Sequence, residues 1–111
     1  MILEGAVFHI PVAQQAAFEA AFEQAQRVLA RARGYLAHEL QQCLEQPQRY
    51  LLLVEWESLE HHETGFRQSA DFQHWRALIG PFFAEPPQVA HYQLVAGRGF
   101  NAATRRPHFQ D

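Results

Sequence analysis

Adjacent histidines at positions 61 and 62 sit inside the stretch of this sequence that is richest in groups able to move a proton or hold an aromatic ring. Between Leu51 and Tyr92 lie both tryptophans, four of the seven histidines and four of the nine phenylalanines. A neutral imidazole accepts a proton near pH 7. Phenylalanine and tryptophan offer flat apolar faces, and the indole N–H is left to bond an oxygen. This set suits a pocket for a flat, largely apolar ligand. It equally suits an aromatic core that needs no ligand.

His62 is the first candidate for chemistry. On a helix starting at Leu59 it shares a face with Leu59 and Phe66, three residues before it and four after. That face points toward the sheet, where His62 can act as a general base or bond a backbone carbonyl. Phe72, Trp75 and Ile79 recur at helical spacing, so Trp75 faces inward. Trp56 ends a strand where a helix begins, a frequent place for a pocket rim. The expected lining is Trp56, Leu59, Phe66, Trp75 and Phe82. Arg67 is a cation able to stabilise an oxyanion there. The alternative for Arg67 and Arg76 is surface pairing with Glu63 or Asp71. Glu55 interrupts an apolar run and is a further candidate proton acceptor, or a strand-edge partner for Arg49 or His38. Tyr35 and His38 have opposite strand parity, so only one of them is expected to face inward.

Metal chemistry is not expected. His61 points about 100° round the helix from His62, so the pair cannot present two ligands side by side. No HExxH or Glu-x-x-His spacing occurs, and no Cys/His cluster. No glycine-rich nucleotide loop or GxSxG elbow is present. All nine basic residues are arginine. Without lysine there is no Schiff base and no phosphate-loop lysine.

The 111 residues suit one domain, and 48% hydrophobic against 19% charged residues is a globular balance. A net charge of −3 gives no electrostatic case for nucleic acid. Cys43 is the single cysteine, so no intrachain disulfide can form. No apolar run reaches the ~20 residues of a membrane span. The N-terminal residues lack a secretion-signal pattern, so a cytoplasmic, reducing location is expected.

The elements that position these groups follow from periodicity. Ile2 to Ile10 reads as a strand stopped by Pro11, and Ala13 to Arg33 as a helix with Phe18, Phe22, Ala25 and Leu29 on one face. Gly34 is the expected C-terminal cap of that helix. Strands at Tyr35 to Leu44 and Arg49 to Glu57 form a hairpin around Pro47. Ser58 and Ser69 cap helices from Leu59 to Phe66 and from Ala70 to Ile79. A last strand is expected from Val89 to Ala96. The order β-α-β-β-α-β is the ferredoxin-like pattern, an α+β fold. Residues 1–97 form the domain, and residues 98–111 are a C-terminal tail. Leu51 to Val54 is apolar on both parities, so both faces of that strand should be buried. The helices cover one face. A second copy of the chain would cover the other, giving a homodimer.

The stretches Leu51 to Ser58 and His61 to Tyr92 resemble the antibiotic biosynthesis monooxygenase family, over roughly residues 2 to 96. The sharpest parts are Trp56-Glu57-Ser58, Gly65-Phe66-Arg67-Gln68-Ser69, Trp75-Arg76 and Pro87-Gln88-Val89-Ala90-His91-Tyr92. The resemblance implies a dimeric α/β barrel with an antiparallel sheet. It also implies a cofactor-independent monooxygenase acting on a phenolic or quinol-type aromatic small molecule. The resemblance implies that neither metal nor organic cofactor takes part; with the residues read above, His62 would be the base or hydrogen-bond partner and the aromatics the walls. His91 and Tyr92 would lie near the partner protomer. The alternative is a non-catalytic binding or accessory barrel. Haem-degrading relatives carry an asparagine on the first strand. The matching position here is Gly5 or Ala6, which argues against haem breakdown.

Overall fold

The computed structural model describes residues 1–97. Four strands form one antiparallel sheet in the order β2-β3-β1-β4. They are β1 Ile2–His9, β2 Tyr35–Gln42, β3 Arg49–Trp56 and β4 Gln88–Tyr92. Two helices, α1 Gln15–Leu29 and α2 Ala70–Ile79, lie over the inner face. The expected ferredoxin-like βαββαβ arrangement is the one observed. Every sheet contact is antiparallel, with β3 pairing both β1 and β2 and β4 completing the far edge on β1.

Alternation along the strands sorts the two faces. In β3, Tyr50, Leu52, Val54 and Trp56 are buried, whereas Leu51, Leu53 and Glu55 are only half-buried. In β1, Ala6 and Phe8 point inward, as does the polar Glu4. The helical face that meets them is Phe18, Phe22, Ala25, Val28 and Leu29 of α1, with Trp75 and Ile79 of α2. Phe18 meets Tyr50 edge-on at 5.0 Å, and Phe22 meets Trp75 at 5.8 Å. Burying each such side chain contributes about 1.5–3 kcal/mol, which is why this face holds the layers together.

Several boundaries differ from the sequence expectation. α1 stops at Leu29 rather than Arg33, because the chain tightens into three-residue turns. Arg31 N–H bonds Val28 O, and Ala32 N–H bonds Leu29 O. Gly34 therefore does not cap the helix but turns the chain into β2, with φ of 85°. β4 ends at Tyr92 rather than Ala96, because Tyr92 already pairs with Leu3 and β1 starts at Ile2. Beyond Tyr92 almost no strand is left to pair with. The expected helix from Leu59 is a π-helical turn at its core, His61–Phe66, with Arg67 N–H bonding His62 O across five residues. Ser69 caps α2 as expected, accepting the Phe72 N–H at 3.1 Å.

Tyr35 and His38 both turn toward α1, contrary to the parity argument. An irregularity in the β2–β3 register between Tyr35 and Ala37 adds one residue and restores both side chains to one face. There the Tyr35 hydroxyl meets His38 Nδ1 at 2.5 Å, and His38 Nε2 meets Gln26 Oε1 at 2.9 Å.

The outer face carries Leu3, Val7, Leu51, Leu53, Ala90 and Tyr92. A shallow groove of about 500 Å³ crosses it. Gly5 lies in its floor, and the Tyr92 ring occupies the space beside it; a Cβ on Gly5 would stand 3.2 Å from that ring.

Candidate functional site

The inner face contains two buried polar residues, Glu4 at 6% and His62 at 3% exposure, and they meet. Glu4 stands on β1 in register with Ala6 and Phe8, which forces its carboxyl into the core. The Trp56 indole N–H donates to Glu4 Oε1 at 2.9 Å. His62 Nε2 lies 3.3 Å from the same oxygen. His62 Nδ1 faces His91 Nε2 at 2.7 Å, and His91 Nδ1 is 3.8 Å from Glu63 Oε1. Four residues from β1, the π-helical turn and β4 thus make a continuous polar chain, with the Trp56 ring stacked on His62 at 5.1 Å.

Burial sets the proton affinities. Desolvation raises the Glu4 carboxyl to about 7, with Glu63 adding to the rise, while the Trp56 hydrogen bond and Arg67 pull against it. Desolvation, then His91 and Arg67, lower His62 to about 4. At neutral pH His62 is therefore an uncharged imidazole beside a carboxyl that is close to half-protonated. Such a pair can hold and release one proton without placing an imidazolium in the core.

The structure brings together part of the expected lining. Trp56, His62 and Phe66 are buried side by side, and Phe66 meets Trp75 edge-on at 6.3 Å. These aromatics pack on one another and on Phe22 and Phe72. Leu59 does not share their buried face: it is 44% exposed, because the π-helical turn changes the angular spacing that a regular helix would give. Phe82 packs on Phe18 at the Tyr50 end of the core, roughly 20 Å along β3 from Trp56. Arg67 lies over the Phe72 ring at 5.9 Å. Asp71, an expected partner for Arg67 or Arg76, instead pairs at 3.0 Å with Arg31, in the turn that follows α1. His61 packs its ring over Gly34 and takes a 2.8 Å contact from Ser58 Oγ to Nδ1. Among the described residues, no group of three or more His, Cys, Asp or Glu is placed to hold a metal ion.

Glu4 was not among the residues that the sequence singled out, and His91 was read only as a contact near the partner. A signal for Glu4 existed. Glu4, Ala6, Phe8 and Ile10 share one parity, so an acid occupies the inward register of an otherwise apolar strand.

The sequence profile described as Antibiotic biosynthesis monooxygenase matches residues 1–78. The chain belongs to this family. The family member is 44% identical to the uncharacterized protein YczJ of Bacillus subtilis (strain 168) over 95 residues, covering 86% of this chain and all of that one. It is 48% identical to a candidate antibiotic biosynthesis monooxygenase of Bordetella bronchiseptica of known structure. The TM-score is 0.82, and the match covers 86% of this chain and 97% of the other. SnoaB of Streptomyces nogalater, a cofactor-independent oxygenase, shares the fold at 18% identity with a TM-score of 0.70, over 86% of this chain and 94% of that one. No helix among the described residues is long and apolar enough to cross a membrane.

Proposed function

We propose that this family member is a cofactor-independent monooxygenase that oxidises a phenolic or quinol-type aromatic small molecule with dioxygen. The observation that carries the reading is the buried Glu4–His62 pair, bonded to Trp56 and set among aromatic rings. Oxygenation without a cofactor needs an electron-rich substrate, and removing a hydroxyl proton supplies one. His62, with Glu4 behind it, is the internal base that draws this proton away from the substrate, and the surrounding rings exclude water from the anion. For a substrate carbon bearing two hydrogens, both C–H bonds give way to one C=O. The second oxygen atom leaves with those hydrogens as water, so no outside reductant is required. Family membership and the fold shared with the oxygenase SnoaB support this class of reaction.

In this reading Trp56, Phe66 and Trp75 are the walls, and Leu59 and Arg67 stand at the rim. The walls are in mutual contact, so a substrate seated against them displaces part of that packing. The π-helical turn, an irregular element of a kind frequent at functional sites, is the segment that yields. The reading includes a homodimer that covers the outer sheet face, where Leu3, Val7, Leu51, Leu53 and Tyr92 expose apolar surface around the groove.

The close packing of Trp56, Phe66 and Trp75 favours a second reading, a non-catalytic binding or accessory barrel. Oxygen uptake with a panel of hydroquinones, anthrones and flavonols separates the two. Uptake that falls about 100-fold or more in His62→Ala supports the monooxygenase. Uptake by the native protein that survives His62→Ala refutes the role of His62. No uptake, together with saturable quenching of tryptophan fluorescence by the same compounds, favours the binding barrel.

A further inference from the structure

The polar chain that leaves Glu4 reaches the surface, and its ends differ in kind. Side-chain exposure rises from 4% at His62 to 20% at His91 and 45% at Glu63. We propose that Glu4, His62 and His91 form a one-proton relay, with His91 as the entry and Glu4 as the terminal store, so that a substrate hydroxyl is deprotonated at His91. Its catalytic half rests on the monooxygenase reading; the relay itself does not.

The register builds this chain. β4 pairs with β1 so that His91 stands opposite Glu4, placing both on the inner face. His62 enters from the π-helical turn and touches both, one ring nitrogen to each. In the proton-accepting state, His62 Nε2–H points at the Glu4 carboxylate and His62 Nδ1 accepts from His91 Nε2–H. His91 Nδ1 is then a lone pair at the more exposed end, beside Glu63. When a hydroxyl gives its proton to His91 Nδ1, the His91 Nε2 proton passes to His62 Nδ1. The His62 Nε2 proton passes to Glu4. One O–H bond breaks at the substrate, one forms at Glu4, and both rings end neutral with their N–H moved to the other nitrogen. The 3.3 Å contact at Glu4 is the longest step within the relay, and such contacts often tighten when substrate binds.

The groups around the relay fit this direction. Arg67 and the Trp56 N–H steady the Glu4 carboxylate, Glu63 opposes it, and burial favours the protonated carboxyl. His62 resists charging for the same reason of burial, aided by His91 and Arg67. It is therefore suited to exchange one proton for another rather than to hold two. Glu4 and His62 act through His91 and are positioning residues; His91 is the group that meets substrate.

Nitrogen NMR of the labelled native protein tests the relay with no substrate present. As pH falls from 8 to 5.5, His62 should change from the Nε2–H to the Nδ1–H tautomer without charging. In the same step the infrared band of a protonated buried carboxyl should appear. A His62 that keeps one tautomer throughout, or becomes an imidazolium, overturns the relay. Glu4→Gln should abolish both the tautomer change and the band, and a change that persists in that variant also overturns it. Should Glu4→Gln not fold, coincidence of the two signals in the native protein decides. With an active substrate, His91→Asn should cut kcat at least tenfold, and Glu4→Gln should remove the pH limb near neutrality. If no substrate is oxygenated, the monooxygenase reading fails while the spectroscopic result still decides the relay.

Discussion

Glu4 and Trp56 are joined diagonally across the β1–β3 pair: Glu4 Oε1 accepts the indole N–H at 2.9 Å, although the register sets Glu4 opposite Val54 and Trp56 opposite Ile2. Both side chains belong to the inner face, so their bond is a contact of the core. It anchors a carboxyl in a place where an unbonded one would be very costly. The remaining affinity of that carboxyl for a proton follows from its burial, and it can be read from stability.

Glu4 and His62 act on stability in opposite senses. The folded Glu4 carboxyl titrates at about 7, above its ordinary 4.5, so the folded state binds more protons between those values and stability falls as pH rises. The folded His62 titrates at about 4, below its ordinary 6.5, so the unfolded state binds more protons there and stability rises with pH. Where the windows overlap the two largely cancel. Glu4→Gln leaves the His62 contribution alone. The native protein's stability relative to Glu4→Gln should therefore fall by roughly 3 kcal/mol from pH 4.5 to 7. Urea unfolding of both proteins at a series of pH values measures it, and a constant difference would show that Glu4 is not a buried titrating group.

Trp56→Phe keeps an aromatic ring in the core but removes the donor to Glu4. The Glu4 carboxyl should then titrate at higher pH than in the native protein, visible by carbon NMR of labelled glutamate. The loss of stability should also depend on pH. At pH 8 the carboxylate lacks its neutral donor, at a cost of about 1–3 kcal/mol beyond the change in packing. At pH 5 the carboxyl is protonated and the extra cost is smaller. Equal losses at the two values would mean that the indole serves as packing alone.

These two residues show what the sequence disclosed. The order of elements and the inward stripe of α1 were legible because burial on one face imposes a period. The apolar run of β3 was legible too, although only one of its faces is buried within one chain, Leu51 and Leu53 being half-buried. His62 and Trp56 stood out by type. Glu4 did not, because an acid in a strand has a meaning only once the parity of that strand is fixed by its neighbours. The Tyr35–His38 contact was hidden by a single extra residue in the β2–β3 register. The exposure of Leu59 was hidden because a π-helical turn has no marker in residue type.

Gly34 is the position where a small substitution should do most local harm. Its φ of 85° is a conformation that side chains disfavour, and a Cβ would lie 2.2 Å from the His61 ring. Gly34→Ala should cost about 1–3 kcal/mol from the backbone alone, plus the displacement of His61. Gly34→Ala with His61→Ala should recover only the share of the second part that comes from the ring, because the His61 Cβ also lies 2.5 Å from the new Cβ, and should leave the first. Thermal unfolding of the two variants and of His61→Ala alone resolves the parts. A double variant as stable as His61→Ala would show that the backbone at Gly34 is not strained.

The outer sheet face gives the last prediction. Leu53 stands there opposite Gly5 on β1 and Glu39 on β2, half-buried within one chain and flanked by Leu51. If a second copy covers this face, Leu53 lies in the interface and its apolar surface is removed from water on association. Leu53→Glu would then bury a charge without a built partner, at a cost of several kcal/mol in the dimer, while the single chain keeps the new carboxylate in water. The expected outcome is a fall in mass by light scattering at micromolar concentration, from a dimer to the 12.8 kDa chain, with the circular dichroism of the fold retained. Leu52→Glu is the contrasting case. Leu52 points into the core at 2% exposure, so that variant should unfold rather than dissociate. A native protein that already sediments as a monomer would end the dimer proposal. A Leu53→Glu variant that stays dimeric would move the interface away from this face.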